Sequence, residues 1–278
     1  MKKIFILLIT CILCFAGCSN VGSKPTSPPT ENSPSPPLES VTPSKPNLPN
    51  NSGEDKPTLA PTRPIKYDEL LQIHTTSLIL FTGENQTGKK VGTVYKNDLL
   101  PILDVKNGHY VSVFNYNTVL IPTYLNVSVK KFAPQSDKVE KVISEGKKLI
   151  GVPYVYGAER YHWGNGILNQ KFSKYAFDCS SFTQYAFFKG SGILLDTTSR
   201  AQSGQGKTVS KNALRRGDLL FFTTPSRANL SGTEKIGHVA IYLGDNYILH
   251  TASDYAIIEP ISAKRWNSFV TAKRVIFD

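Results

Sequence analysis

A chain of 278 residues with 32 Lys and Arg against 21 Asp and Glu carries a formal charge of +11, most of it on residues 67–278. That surplus favours anionic surroundings such as acidic wall polymers, anionic lipid or carboxylate-bearing substrates, and with no basic-aromatic binding motif beside it nucleic acid is not an expected partner. No zinc-type Cys/His spacing and no glycine-rich phosphate loop occurs, so neither metal nor cofactor is called for, and no obligate protein partner is evident.

The chain opens MKKIFILLITCILCFAGCSN, with two lysines ahead of an apolar run from Ile4 to Phe15. Such a run is shorter than the roughly 20 residues a membrane span needs, and reads as an export signal. The small-small-Cys ending at Ala16, Gly17 and Cys18 resembles the lipobox of bacterial lipoproteins, with Phe15 where Leu is usual. By that resemblance residues 1–18 are the signal and lipobox, Cys18 is acylated, and the mature protein is exported, lipid-anchored to the membrane and faces the cell wall. The other reading is ordinary secretion, with Cys18 an incidental part of the signal. Under the lipobox reading Cys11 and Cys14 leave with the signal, and Cys179 is the one free thiol.

Residues 19–66 hold 12 of the 18 prolines and no aromatic residue. This composition cannot build a core and predicts a disordered linker, semi-extended and at most roughly 150 Å long at about 3.1 Å per residue. From Tyr67 short β-type runs follow: SLILF, VGTVY, LLPILDV, HYVSVF and TVLIPTYL, with turns between them. Five such runs predict a small barrel over 67–133. The segment NGHYVSVFNYNTVLIPTYLNV resembles the closing half of a bacterial SH3-like domain, with Val119-Leu120 in place of the usual Gly-Trp; an unrelated small β-domain is the alternative.

DKVEKVISEGKKLIG then shows helical periodicity and opens a second domain, residues 137–278. Within it, FDCSSF places Asp178 as an N-cap and Cys179 in the first turn of a helix that breaks at Gly190-Ser191-Gly192. A helix N-terminus lowers a thiol pKa, whereas the charge of Asp178 opposes this, so a cationic or hydrogen-bonding partner is expected nearby. Downstream, GHVAIYLGDNYILHTA reads as a hairpin, with His238, Ala240 and Tyr242 on one face and Val239, Ile241 and Leu243 on the other. A three-residue turn at Gly244-Asp245-Asn246 pairs Ala240 with His250 and makes His238 and His250 diagonal neighbours; a two-residue turn would put them on opposite faces. Thiol, base and a group that orients the base are the parts of thiol acyl transfer, though a lone buried cysteine or a structural histidine has a simpler explanation.

DCSSF, GHVAIYLG and ILHTA in this order, with GVPYVYGA and LRRGDLLFF between or before them, resemble the NlpC/P60 family of papain-like cysteine peptidases, which cleave cell-wall peptides. The resemblance implies an α+β fold, here a small SH3-like β-barrel followed by a papain-like catalytic domain with a central antiparallel sheet. It also implies roles. Cys179 matches the nucleophile, His238 the base, His250 the third polar residue, and Tyr154 the tyrosine that assists the oxyanion. Asp178 and Ser180 match flanking positions that contact a substrate amino group, so Asp178 is expected to cap the helix and face an ammonium.

The implied substrates are peptidoglycan stem peptides or muropeptides, cut between γ-D-glutamyl and the diamino acid. Departures are the insert Ala158–Phe177, Asp196-Thr197 before the Thr-Ser, and Arg216 where Pro is common. Other thiol acyl transfers on the wall, amidase or transpeptidase, remain open, as does an inactive wall-binding lipoprotein.

Overall fold

The computed structural model describes residues 68–252 and 254–277. Cys18, the export signal and the linker therefore lie outside the described residues. Eight strands come first: β1 (Asp68–Ile73), β2 (Ser77–Phe81), β3 (Lys90–Tyr95), β4 (Leu99–Pro101), β5 (Asp104–Lys106), β6 (His109–Phe114), β7 (Asn117–Pro122) and β8 (Val127–Phe132). They are followed by α1 (Asp137–Lys147), α2 (Cys179–Ser191), α3 (Ser199–Gln202), β9 (Lys207–Val209), β10 (Leu219–Thr223), β11 (Ile236–Gly244), β12 (Tyr247–Ala252), β13 (Tyr255–Pro260), α4 (Ala263–Asn267) and β14 (Phe269–Arg274).

The sheet order crosses the expected division of the chain. A nine-stranded sheet runs β8-β1-β4-β13-β12-β11-β10-β14-β9, so three of the first eight strands extend the sheet of the last six. The junction is narrow, a single antiparallel pairing of Ile258 with Leu99. Side chains reinforce it. Gln72 Nε2 donates to the Tyr247 hydroxyl at 3.0 Å, and the Tyr255 hydroxyl donates to the Thr93 carbonyl. Arg216, almost fully buried, bridges Asp68 at 2.6 Å and Glu140 at 2.9 Å, which a buried guanidinium requires if its charge is to be tolerated. The remaining early strands form the pair β2-β3 and the meander β5-β6-β7.

One core joins Leu70, Leu100 and Phe114 from the early strands to Val142, Phe182, Val239 and Leu249 from the later elements. On the opposite face of β10, β11 and β12 a smaller cluster gathers Leu220, Phe222, Ala240 and Ile248. The alternation of Val239, Ile241 and Leu243 with His238, Ala240 and Tyr242 thus separates two packed faces, as the period of a strand dictates. Helix α2 is buried along most of its length, between this sheet and α1. The two helices approach so closely at Gly190 that a Cβ there would lie 2.4 Å from the Val142 backbone. Gly192 closes α2 in the left-handed conformation at φ 72°, its N–H returning to Phe188 O.

Candidate active site

Asp178 caps α2 with a full capping box. Its Oδ1 accepts from Ser181 N at 2.8 Å and from Ser180 N and Oγ at 3.1 Å, while Ser181 Oγ accepts from Asp178 N at 3.0 Å. Such a cap stabilises the helix by about 1 kcal/mol and fixes Cys179 as its first residue, whose N–H has no acceptor within the helix. The other carboxylate oxygen, Oδ2, pairs with Arg160 at 2.8 Å. Both oxygens of Asp178 are thus engaged by the protein, on a residue only 5% exposed. Ser180 is buried beside it, its hydroxyl spent on the same carboxylate.

Arg160 comes from the insert, which is held firmly. Tyr161 meets Phe172 and Tyr185 edge-on with ring centroids 5.0 and 5.1 Å apart, and His162 is fully buried, its backbone N–H on Gln184 Oε1. Arg160 itself donates through Nε to the Thr197 carbonyl and through a terminal nitrogen to the Ala158 carbonyl at 2.6 Å. Sequence reasoning asked for a cationic or hydrogen-bonding partner near the thiol without locating it. Nothing in the spacing singles out Arg160, which arrives only through the aromatic packing of the insert on α2.

The thiol behaves differently from expectation. Burial first, then the charge of Asp178, push the Cys179 thiol up to about 11, against the opposite pull of the Val239 N–H, the Arg160 charge and the Ser180 N–H. The helix N-terminus is outweighed here because Cys179 is only 7% exposed, and a thiolate loses more solvation there than the dipole returns.

The histidines come from the β11-β12 hairpin, whose turn also departs from expectation. Asp245 and Asn246, with φ 48° and 65°, make a two-residue turn in which Gly244 pairs with Tyr247. Counted from the turn alone, that register would separate the histidines. A bulge between Tyr242 and Gly244 shifts it back by one residue, so Tyr242 pairs with Ile248 and His238 and His250 regain a common face. His238 Nε2 lies 2.9 Å from His250 Nδ1, with the rings nearly perpendicular at 79°. On the next strand, β13, Ile257 pairs with His250 and Ile248 with Glu259, which makes Glu259 the following diagonal neighbour. Its Oε1 is 3.0 Å from His250 Nε2 and 2.8 Å from a terminal nitrogen of Arg265 in α4. Burial lowers the pKa of both histidines; that of His238 falls well below 6.5, with His250 and Arg265 adding to the effect, while at His250 burial outweighs the opposite pull of the Glu259 hydrogen bond. Both imidazoles are therefore neutral at neutral pH. Glu259 and Arg265 escaped the reading of the sequence; the available signal was a lone acid in the apolar strand YAIIEP, legible only once the β12-β13 register is known.

His238 borders a cleft of about 640 Å³ lined also by Tyr154, Phe222, Thr224, Lys264 and Arg265. Burial, then the nearby Cys179 and Asp178, raise the pKa of the Tyr154 phenol, which keeps it a protonated donor. A buried thiol on a helix N-terminus, a protonated phenol and a neutral imidazole held by a second histidine that in turn meets a carboxylate are the parts for attack on a carbonyl and proton delivery to a leaving group. Among the described residues no group of three or more His, Cys, Asp or Glu is arranged to hold a metal ion.

Residues 151–275 match the model of the NlpC/P60 family. Over 182 residues, 62% of this chain and 46% of that protein, the chain is 29% identical to a γ-D-glutamyl-L-lysine dipeptidyl-peptidase of Bacillus cereus. Over 109 residues, 37% of this chain and 52% of that protein, it is 36% identical to a murein DD-endopeptidase/murein LD-carboxypeptidase of Escherichia coli. A crystal structure of an NlpC/P60 family protein from Bacillus cereus aligns over 76% of this chain and 64% of that chain, with 23% identity and a TM-score of 0.41. The matched region spans about half the length of the curated relatives, between 44% and 60% for three of them.

Proposed function

We propose that the chain is a peptidoglycan hydrolase, a cysteine endopeptidase that cuts the γ-D-glutamyl–diamino acid bond of stem peptides through an acyl-enzyme. The observation that carries this reading is the diagonal row of His238, His250 and Glu259 across three strands at a cleft. In the same fold unit the single described cysteine starts a capped helix. The family match over 151–275 and the dipeptidyl-peptidase relative support the choice of bond.

In this mechanism Cys179 is the nucleophile and rests as a thiol. His238 takes its proton as the sulfur attacks the carbonyl carbon, and the carbonyl oxygen, now an oxyanion, is met by the Cys179 N–H and the Tyr154 hydroxyl. The proton then passes from His238 to the departing amine. Water hydrolyses the resulting thioester with His238 again as base, releasing the glutamyl product and restoring the thiol. His250 orients His238, and Asp178 and Ser180, joined by buried hydrogen bonds, fix the start of the helix that carries Cys179. Residues 67–133 would act as an SH3-like wall-binding portion, and an acylated Cys18 with the 19–66 linker would hold the head on the membrane.

Wild-type protein incubated with defined muropeptides is expected to release fragments whose masses locate the cut at γ-D-glutamyl, and Cys179→Ala to release none. Unchanged release by Cys179→Ala would overturn the assignment. A second reading follows from the 36% identity to the DD-endopeptidase/LD-carboxypeptidase, namely a different bond of the same stem. The same mass measurement separates the two, because each cut leaves a different pair of fragments.

A further inference from the structure

The hydrogen bonds that run away from the cleft determine where the protons of the two histidines sit. Glu259 Oε1 receives both His250 Nε2, at 3.0 Å, and Arg265, at 2.8 Å. An ionised carboxylate can only accept, so the proton in the first bond belongs to His250 Nε2. In a neutral ring the second nitrogen then carries the lone pair. His250 Nδ1 must accept, and its partner at 2.9 Å, His238 Nε2, must donate. One nitrogen remains: His238 Nδ1, which has no hydrogen-bond partner among the described residues, on a residue that lines the cleft.

We propose that Glu259 is a positioning residue that sets the tautomer of both histidines in series, and that Arg265 balances its charge, so that His238 offers Nδ1 as a neutral base to the Cys179 thiol. This rests on the assignment of Cys179 and His238 as nucleophile and base. The balancing cation is needed for a definite reason. A carboxylate alone would favour a doubly protonated His250, whose Nδ1–H would turn His238 Nε2 into an acceptor and place the His238 proton on Nδ1, the wrong side. Arg265 is well placed to prevent this, lying between Glu259 and the face of Phe222, 5.8 Å from the ring centroid, with Phe222 packed in turn on His238. The groups that face Glu259 are His250 and Arg265 through hydrogen bonds, and Asp98 and Tyr255 through electrostatic interaction.

The tautomers are read directly by nitrogen-15 and proton NMR of histidine-labelled protein, with no substrate present. Both His238 and His250 are expected to carry their proton on Nε2 in the wild type at pH 7; a proton on His238 Nδ1 would overturn the proposal. In Glu259→Leu the two rings should populate mixed tautomers. Its kcat/KM should fall at least tenfold and at most by the ~10⁴-fold that follows loss of a triad carboxylate, with KM little changed. Glu259→Gln keeps an accepting oxygen and should recover most of that loss.

The pH profile of kcat/KM supplies a readout that a merely structural role would not move. Removing the cation in Arg265→Gln raises the pKa of His238 and moves the acid limb to higher pH, whereas removing the anion in Glu259→Gln moves it to lower pH. Shifts in the same direction, or none, would overturn the proposal. If the wild type cut no wall peptide, the peptidase reading would fail, while the tautomer measurement would still decide this inference.

Discussion

Arg160 reaches from the insert to Asp178 Oδ2, and its charge is one of the influences that work against burial at the Cys179 thiol. Replacing it with Met removes both effects together. Asp178 is then left with a buried oxygen lacking its cation, a change that costs about 3 kcal/mol when the pair is well buried. The thiol simultaneously loses a favourable charge. Arg160→Met is therefore expected to unfold at lower denaturant, and the midpoint of its iodoacetamide alkylation rate should move to higher pH than the wild type's, itself near 11. An unchanged alkylation profile would mean that the Arg160 charge does not reach the thiol. At this scale the two histidines and the cysteine were legible as residue types at motif spacing, and the protonated state of the thiol was not. Its pKa depends on how deeply α2 is buried, a property of the packed molecule that the six residues around Cys179 do not carry.

Among the elements, the packing of α1 on α2 tolerates nothing larger than hydrogen at position 190. Gly190→Ala puts a methyl group against the Val142 backbone, where no flexible side chain can yield. Overpacking of this kind costs about 1–3 kcal/mol, more than the roughly 1 kcal/mol that Ala gains over Gly in helix propensity. Thermal unfolding should show a net loss, and a gain in melting temperature would contradict the close approach. Both helices could be anticipated from their apolar spacing and end signals, with Asp178 as the cap of α2, whereas the Ser136 cap of α1 emerged only with the fold. Strands β1 and β8 could not, because DELLQI and VSVKKF mix charge with apolar residues and pair at the end of the sheet that precedes β4. The hairpin turn was misjudged by one residue, and the bulge restored the register. A bulge has no reliable signature in side-chain alternation, so the face of His250 could be settled only by the fold.

For the molecule as a whole, buried ionisable groups give stability two sloping limbs. His238 and His250 have folded pKa values below 6.5, so as pH falls through 6.5 the unfolded chain takes up protons that the folded chain refuses. Stability then drops by up to about 1.4 kcal/mol per pH unit for each ring. Asp98 works the other way: with a folded pKa of about 6 against 3.8, it binds a proton earlier in the folded state and offsets one ring below pH 6. At the alkaline end the unfolded thiol of Cys179 ionises near 9 and the folded one only near 11, so stability declines as pH rises above 9. Denaturant midpoints measured from pH 5 to 10 should trace a maximum between these limbs, and His250→Phe, if folded, should flatten the acid side.

The buried, protonated thiol has a consequence for a protein proposed to work outside the reducing cytosol. Peroxides and disulfides attack thiolate, and near neutral pH Cys179 holds almost none. The protein should keep its thiol titratable through exposures that convert free cysteine to sulfenic acid, becoming vulnerable, under the proposed mechanism, only while His238 holds the proton. Durability and reactivity are then separated in time instead of being traded against each other at one fixed pKa.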